Sequence, residues 1–200
     1  MKKRKGRLPL IFGSVLILAG LCLFLIFQLS SCRGDRQSRS VLAKINALLP
    51  ERTVGVPELS ADPGMPVLEI DGTDYVALVE IPAYDIALPV ADQWDSQSLT
   101  TGPVRFHGSA WDNSLVIGGA DRVGQFSFCS EIDTGAVVTV TDMTGAQFSY
   151  RVTRVDRSDS APAQWLIRDD SDLTLYCRDS NSMAYIAVRC ALNGANDPQL

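Results

Sequence analysis

Apolar positions along this chain follow three different rhythms. From Leu8 to Leu29 they are nearly continuous, with no charged residue among them. As a helix that stretch spans about 30 Å, the thickness of a bilayer's hydrocarbon. From Val41 to Leu49 the residues Val41, Leu42, Ile45, Leu48 and Leu49 recur at helical spacing, and Pro50 ends the pattern. This predicts a short amphipathic helix packed on the domain that follows. After Pro66 the runs are short and broken by turn residues: Val67 to Ile70, Tyr75 to Ile81, Ile86 to Val90, Ser114 to Ile117, Ala136 to Thr141, Gln147 to Val155, Leu173 to Cys177 and Ala184 to Cys190. Such spacing predicts strands. Asp71-Gly72 suits a tight hairpin turn, because glycine accepts the positive φ that these turns require. Many short strands with few long helices predict an all-β, closed or nearly closed barrel rather than a parallel α/β sheet.

The segments between these regimes read as connections. Residues 33–40 are polar and charged, a tether, and residues 51–66, with Pro57, Pro63, Gly64 and Pro66, read as an extended connector. No internal repeat or low-complexity tract interrupts the chain.

Charge adds a direction. Lys2, Lys3, Arg4, Lys5 and Arg7 precede the long apolar run, and positive charge at that end predicts a cytoplasmic N-terminus with the rest of the chain outside. Setting those five aside leaves 13 of the 18 Lys and Arg against all 23 Asp and Glu, a formal charge near −10 for the remainder. That acidity speaks against nucleic-acid binding. Two anchors fit the end of the run: an uncleaved signal anchor over residues 8–29, or a lipoprotein signal peptide, since Leu29-Ser30-Ser31-Cys32 resembles a lipobox with Cys32 as the lipidated residue.

Of the five cysteines, Cys129, Cys177 and Cys190 fall in the folded part. They are too few and too scattered for a disulfide framework and read as buried or free thiols. No pair of His or Cys residues has metal-ligand spacing, so neither a metal nor another cofactor is expected. His107 is the only histidine and is placed in a turn-like segment before Gly108.

A series of blocks carries a further signal: Tyr75 to Pro82, Leu88-Pro89-Val90, Gly102 to Ser109, Asn113 to Gly119, Phe126, Val140 to Gly145 and Asp172 to Tyr176. In order and spacing they resemble the sortases, cell-surface cysteine transpeptidases, and are most similar to the class B-like sortases of Gram-positive bacteria. The resemblance implies a closed eight-stranded β-barrel over residues 67–195, behind a basic n-region (1–7), an anchor (8–29) and a tether, helix and connector (33–66). It also implies sorting-signal peptides, pilins or other surface proteins, or an active sortase, as partners.

The chemistry that the resemblance implies is missing its side chains. The family's His directly follows the glycine that is Gly119 here, which puts it at Ala120. Counting forward from Leu173, or back from Val188-Arg189-Cys190, puts the family's Cys at Arg178, and its Arg seven residues on at Tyr185. Acyl transfer needs a nucleophile, a proton carrier and an oxyanion stabiliser, and Arg178, Ala120 and Tyr185 supply none of these. The expectation is a pseudoenzyme whose Ala120, Arg178 and Tyr185 border a peptide groove. The alternative is a transpeptidase with a rearranged site, using Cys177 as nucleophile with His107 or Asp121 as base and Arg189 as oxyanion stabiliser. Strand alternation turns Cys177 away from the face of its neighbour, and a bulge is what would bring it back.

Overall fold

The computed structural model describes residues 16–18, 20–21, 38–54, 64–93, 98–160, 163–167 and 170–193. The chain divides into two compact units, residues 1–36 and 37–200. In the first, the described residues are helical and exposed. The rest of the 8–29 run and Cys32 lie outside the described residues. Among those described, no helix is long and apolar enough to cross a membrane.

Helix α1 covers residues 38–48 of the second unit. Among the described residues ten strands follow: β1 (Thr53–Val54), β2 (Leu68–Ile70), β3 (Thr73–Ile81), β4 (Ile86–Ala91), β5 (Val104–His107), β6 (Leu115–Gly118), β7 (Val137–Asp142), β8 (Ala146–Ser158), β9 (Leu173–Arg178) and β10 (Tyr185–Leu192). Short helices α2 (Ser98–Thr101) and α3 (Ala163–Ile167) interrupt them.

Pairing closes a ring of eight strands in the order β3-β4-β5-β6-β9-β10-β8-β7 and back to β3. Within the ring β4–β5 and β6–β9 are parallel and the other pairs antiparallel. β2 extends the edge of β3, and β1 that of β8. Closure leaves the ring strands without free edges. Asp71 and Gly72, both at positive φ (53° and 78°), form the β2–β3 turn, the mirror-image geometry whose twist matches a hairpin.

Alternation fills the barrel. Val79, Leu115, Ile117, Phe148, Leu175, Ile186 and Val188 point inward into one buried cluster. Outside it, Val41 and Ile45 of α1 pack on Ile70, Tyr75, Ala91 and Val104. Lys44 reaches Asp71 at 2.6 Å, and the Ser38 hydroxyl donates to the Thr101 carbonyl at 3.2 Å. The helix therefore caps the barrel as its periodicity predicts, except at Leu48, which is 61% exposed. One apolar residue more than the buried stripe needs stays in solvent.

Two elements correct the sequence reading. Val104–His107 is a strand, not a turn: its alternation is broken by a bulge between Arg105 and His107, which masks the period of two. Thr53 and Val54 lie within the expected connector but pair in parallel with Ala146 and Gln147, a contact that no local pattern signals.

Candidate functional site

The end of β9 sorts its residues by face. Leu173, Leu175 and Cys177 enter the barrel core, while Thr174, Tyr176 and Arg178 face outward. Cys177 is 2% exposed and lies in the main apolar cluster with Cys129 and Cys190. The irregularities in β3, β5 and β10 leave β9 in regular register with both neighbours, so nothing turns Cys177 outward.

Arg178 is exposed and pairs directly with half-buried Tyr185 across the β9–β10 ladder. Its guanidinium carbon stands 5.5 Å from the centre of the Tyr185 ring, and its Nε donates to the Met183 carbonyl at 3.2 Å. On the other side, β6 and β9 run in parallel with Gly118 opposite Tyr176, and the Gly119 N–H donates to the Tyr176 carbonyl at 3.0 Å. β6 ends at Gly118, and the loop that follows stays beside β9: Gly119 bonds Tyr176 and Asp121 bonds Ser180, with Ala120 between them. Ala120 on this loop and Arg178 and Tyr185 at the ends of β9 and β10 thus form one row at the rim.

Local chemistry holds the row. A Cβ on Gly119 would overlap the ring of fully buried Phe126, so the chain can bring Ala120 to the rim only through a glycine. Gly119→Ala is expected to cost about 2 kcal/mol through overpacking, read as a lowered urea midpoint; an unchanged midpoint would mean that Phe126 yields freely. The Ala120 carbonyl accepts the N–H groups of Arg122 and Phe126, at 2.9 and 3.0 Å. Asp121 ties this loop to the β9–β10 turn: its Oδ2 accepts the Ser180 N–H at 2.7 Å and its carbonyl accepts the Ser180 hydroxyl at 3.3 Å. That carboxylate is spent on holding two loops together. Those loops expose Val123 (85%) and Met183 (53%), the latter at positive φ, so the row is flanked by apolar side chains.

The parts of the rearranged site do not meet. His107 is exposed on β5, and Val116, its partner on β6, is level with Thr174. It is therefore three rungs along the strands and two strands across from Cys177, about 10 Å in each direction, and on the opposite side of the barrel wall. Arg189 is also level with Thr174 and is fully buried. Its Nε bonds Asp156 at 3.2 Å, Nη1 bonds the Thr174 hydroxyl at 3.0 Å and the Leu166 carbonyl at 3.1 Å, and Nη2 bonds the Trp165 carbonyl at 2.6 Å. The alternative, rearranged site gave this arginine a catalytic role, and the sequence reading missed its structural partners. The available signal was a charge inside the apolar run Ala187-Val188-Arg189-Cys190-Ala191, where burial demands hydrogen-bonded partners.

Burial sets the titration of the neighbouring groups. It pushes the Cys190 thiol up to about 12. It also raises Cys129 well above the ordinary thiol value, with the adjacent Cys177 thiol adding to the rise. The Tyr176 phenol is raised first by burial and then by Tyr185. A raised folded-state pKa contributes stability that is complete below the unfolded value, near pH 9 for a thiol, and is lost as pH climbs toward the folded value. Iodoacetamide at pH 7.5 is accordingly expected to leave Cys129, Cys177 and Cys190 unmodified until the protein is unfolded in urea. Rapid native-state labelling of Cys177 would contradict its burial. Among the described residues no group of three or more His, Cys, Asp and Glu is placed to hold a metal ion.

No protein-family model matches the chain, and no curated protein sequence matches it. Solved structures do. Sortase A from Corynebacterium diphtheriae superimposes with a TM-score of 0.53 at 19% identity, over 64% of this chain and 66% of that one. Sortase C1 from Streptococcus agalactiae gives 0.54 at 21%, over 64% and 72%. The domain has the sortase fold. Sortase C-1 from Actinomyces oris extends the match to 80% of this chain and 98% of that one, with a TM-score of 0.53 at 21% identity. The rim of this barrel carries the row Ala120, Arg178 and Tyr185. A methyl, a guanidinium and a phenol offer contact, charge and hydrogen bonds but no thiolate.

Proposed function

We propose that this chain is a membrane-anchored, extracytoplasmic member of the sortase family that binds a sorting-signal peptide, a pilin or a partner sortase in surface-protein assembly, without catalysing transpeptidation. The observation that carries this reading is the Arg178–Tyr185 stack at the end of β9 and β10, with Cys177 turned into the core behind it. A cation and an aromatic face beside exposed Val123 and Met183 suit an extended peptide bearing a carboxylate. The anchor follows from the uncharged 8–29 run and the basic residues before it. The class B-like character is supported by the sequence blocks.

Two measurements test the reading. The full chain in detergent micelles is expected to bind LPxTG-like or NPxTN-like peptides and to release no cleavage product from any of them. Turnover that disappears in Cys177→Ser would show a rearranged transpeptidase instead. Protease added to intact protoplasts is expected to degrade the part after Arg33; its protection would overturn the orientation. A diacylglyceryl mass at Cys32 would select the lipoprotein form of the anchor.

A further inference from the structure

The barrel encloses three thiols, and its hydrogen bonds bring two of them together. Cys129 lies in the 3-10 turn Ser127–Ser130, which packs against β9 and β10. Two routes place it beside Cys177. From the β6 side, the Gly119 N–H donates to the Tyr176 carbonyl, the Phe126 N–H to the Ala120 carbonyl and the Cys129 N–H to the Phe126 carbonyl, each within 3.1 Å. From the β8 side, Cys177 opposes Ile186, Ile186 opposes Arg157, and the Arg157 guanidinium donates to the Ser130 carbonyl at 3.1 Å. Both thiols are buried in one apolar cluster and are hydrogen-bond neighbours. Cys190 is set apart: it opposes Leu173, four rungs along β9 from Cys177, or about 13 Å.

We propose that Cys129 and Cys177 are a disulfide-forming pair that clamps the Ser127–Ser130 turn to the end of β9, next to Arg178, with Cys190 left as a thiol. The oxidant is a disulfide, carried by a protein or a small molecule. One thiol gives up its proton and its sulfur attacks the oxidant's S–S bond, forming a mixed disulfide and expelling a thiolate. The second sulfur, likewise deprotonated, attacks the mixed disulfide, forms the Cys129–Cys177 bond and expels the other thiolate. Two cysteines are oxidised, the oxidant takes two electrons, and its two thiolates take the two protons. Burial keeps the Cys129 thiol protonated at neutral pH, so the exchange proceeds while the chain folds or opens, and the closed bond is shielded from reductants in the same way. An export route supplies such oxidants. That setting rests on the extracytoplasmic reading above, whereas the pairing rests on the fold.

The test uses the full chain in detergent micelles, first reduced and then held with oxidised glutathione in urea just below its unfolding midpoint. After alkylation with N-ethylmaleimide in strong urea, non-reducing peptide mapping is expected to show a peptide linking Cys129 to Cys177, and Cys190 alkylated. The oxidised chain is expected to unfold at about 1–2 M more urea than the reduced one, because the bond closes a loop of about fifty residues. Cys190→Ala is expected to keep both the link and the gain, and Cys129→Ala and Cys177→Ala to lose both. Mapping of the unsubstituted chain decides the matter if those two do not fold. A link through Cys190, or glutathione adducts that never close, overturns the pair and leaves the peptide-binding reading untouched. The full chain from cells lysed directly into urea and N-ethylmaleimide is expected to carry the bond already. All three thiols alkylated there, with closure intact in micelles, overturns the extracytoplasmic setting and leaves the pair standing.

Discussion

Ala120→His, Arg178→Cys and Tyr185→Arg introduced together are expected to give a chain that forms a thioacyl adduct with a sorting-signal peptide, whereas Ala120→His alone stays silent. The members of such a unit act together: losing one costs about a thousandfold or more in rate, and the losses do not add. Restoring one partner to a site that lacks the others therefore recovers almost nothing. Geometry favours the triple change. Positions 178 and 185 are a directly opposed pair across an antiparallel ladder, and position 120 lies in the loop that follows β6 on the other side of β9. A cysteine at 178 faces outward, as Arg178 does, while Cys177 stays inside. Intact-mass spectrometry after incubation with LPxTG-like and NPxTN-like peptides reads the adduct directly. Peptide binding without an adduct in the triple variant would show that the row no longer has catalytic spacing.

Asp142→Ala is expected to be the most destabilising single substitution outside the apolar core, by about 3–4 kcal/mol. Asp142 is fully buried at the end of β7. Its Oδ1 accepts the Thr144 N–H at 2.8 Å, the Thr144 hydroxyl at 2.7 Å and the Ala146 N–H at 2.9 Å, which closes the β7–β8 turn. Its Oδ2 accepts the Trp111 indole N–H at 3.0 Å, and Trp111 packs edge-on against Phe148 with ring centres 5.0 Å apart. Thr144 is exposed and finds water when the carboxylate goes, but the buried Ala146 N–H and the half-buried Trp111 indole lose their acceptor. The urea midpoint is expected to fall by about 2 M. Asp112, which caps Ser109 and Ser114 from an exposed loop position, is the control. Asp112→Ala is expected to move the midpoint by less than half as much, and equal shifts would refute the burial argument.

How far the fold was legible depends on where each element's instructions lie. β3, β9 and β10 announce themselves because their apolar runs are continuous and they are buried on both faces, as ring strands covered by a helix must be. β5 carries Arg105 and His107 and a bulge, so its strand character comes from β6 and β4 rather than from its own pattern. β1 exists only because β8 runs long enough to offer it an edge. At the candidate site, the facing of Cys177 against Arg178 was readable because it needs only a period of two. The lodging of Arg189 under α3 was not, since α3 lies between β8 and β9 and no spacing along the chain ties Trp165 to Arg189. Asp121 has the same history: a carboxylate next to the family's histidine position invites a chemical role, and only the fold shows that Ser180 has claimed it.

The ring closes through partners that are far apart in the chain. β3 meets β7 through pairs such as Val79 with Val140, and β6 meets β9 through pairs such as Ile117 with Leu175. Both contacts join segments about sixty residues apart, so the entropy of closing long loops is lost before either seam returns any packing energy. Folding is therefore expected to be slow, on the millisecond-to-second scale of barrels rich in non-local pairs. Hairpins such as β2–β3 and β3–β4 can form early, but β6 waits for β9 with one edge open. A chain interrupted before Leu173 leaves that edge without a partner, and strand-to-strand aggregation is the fate such an intermediate must outrun.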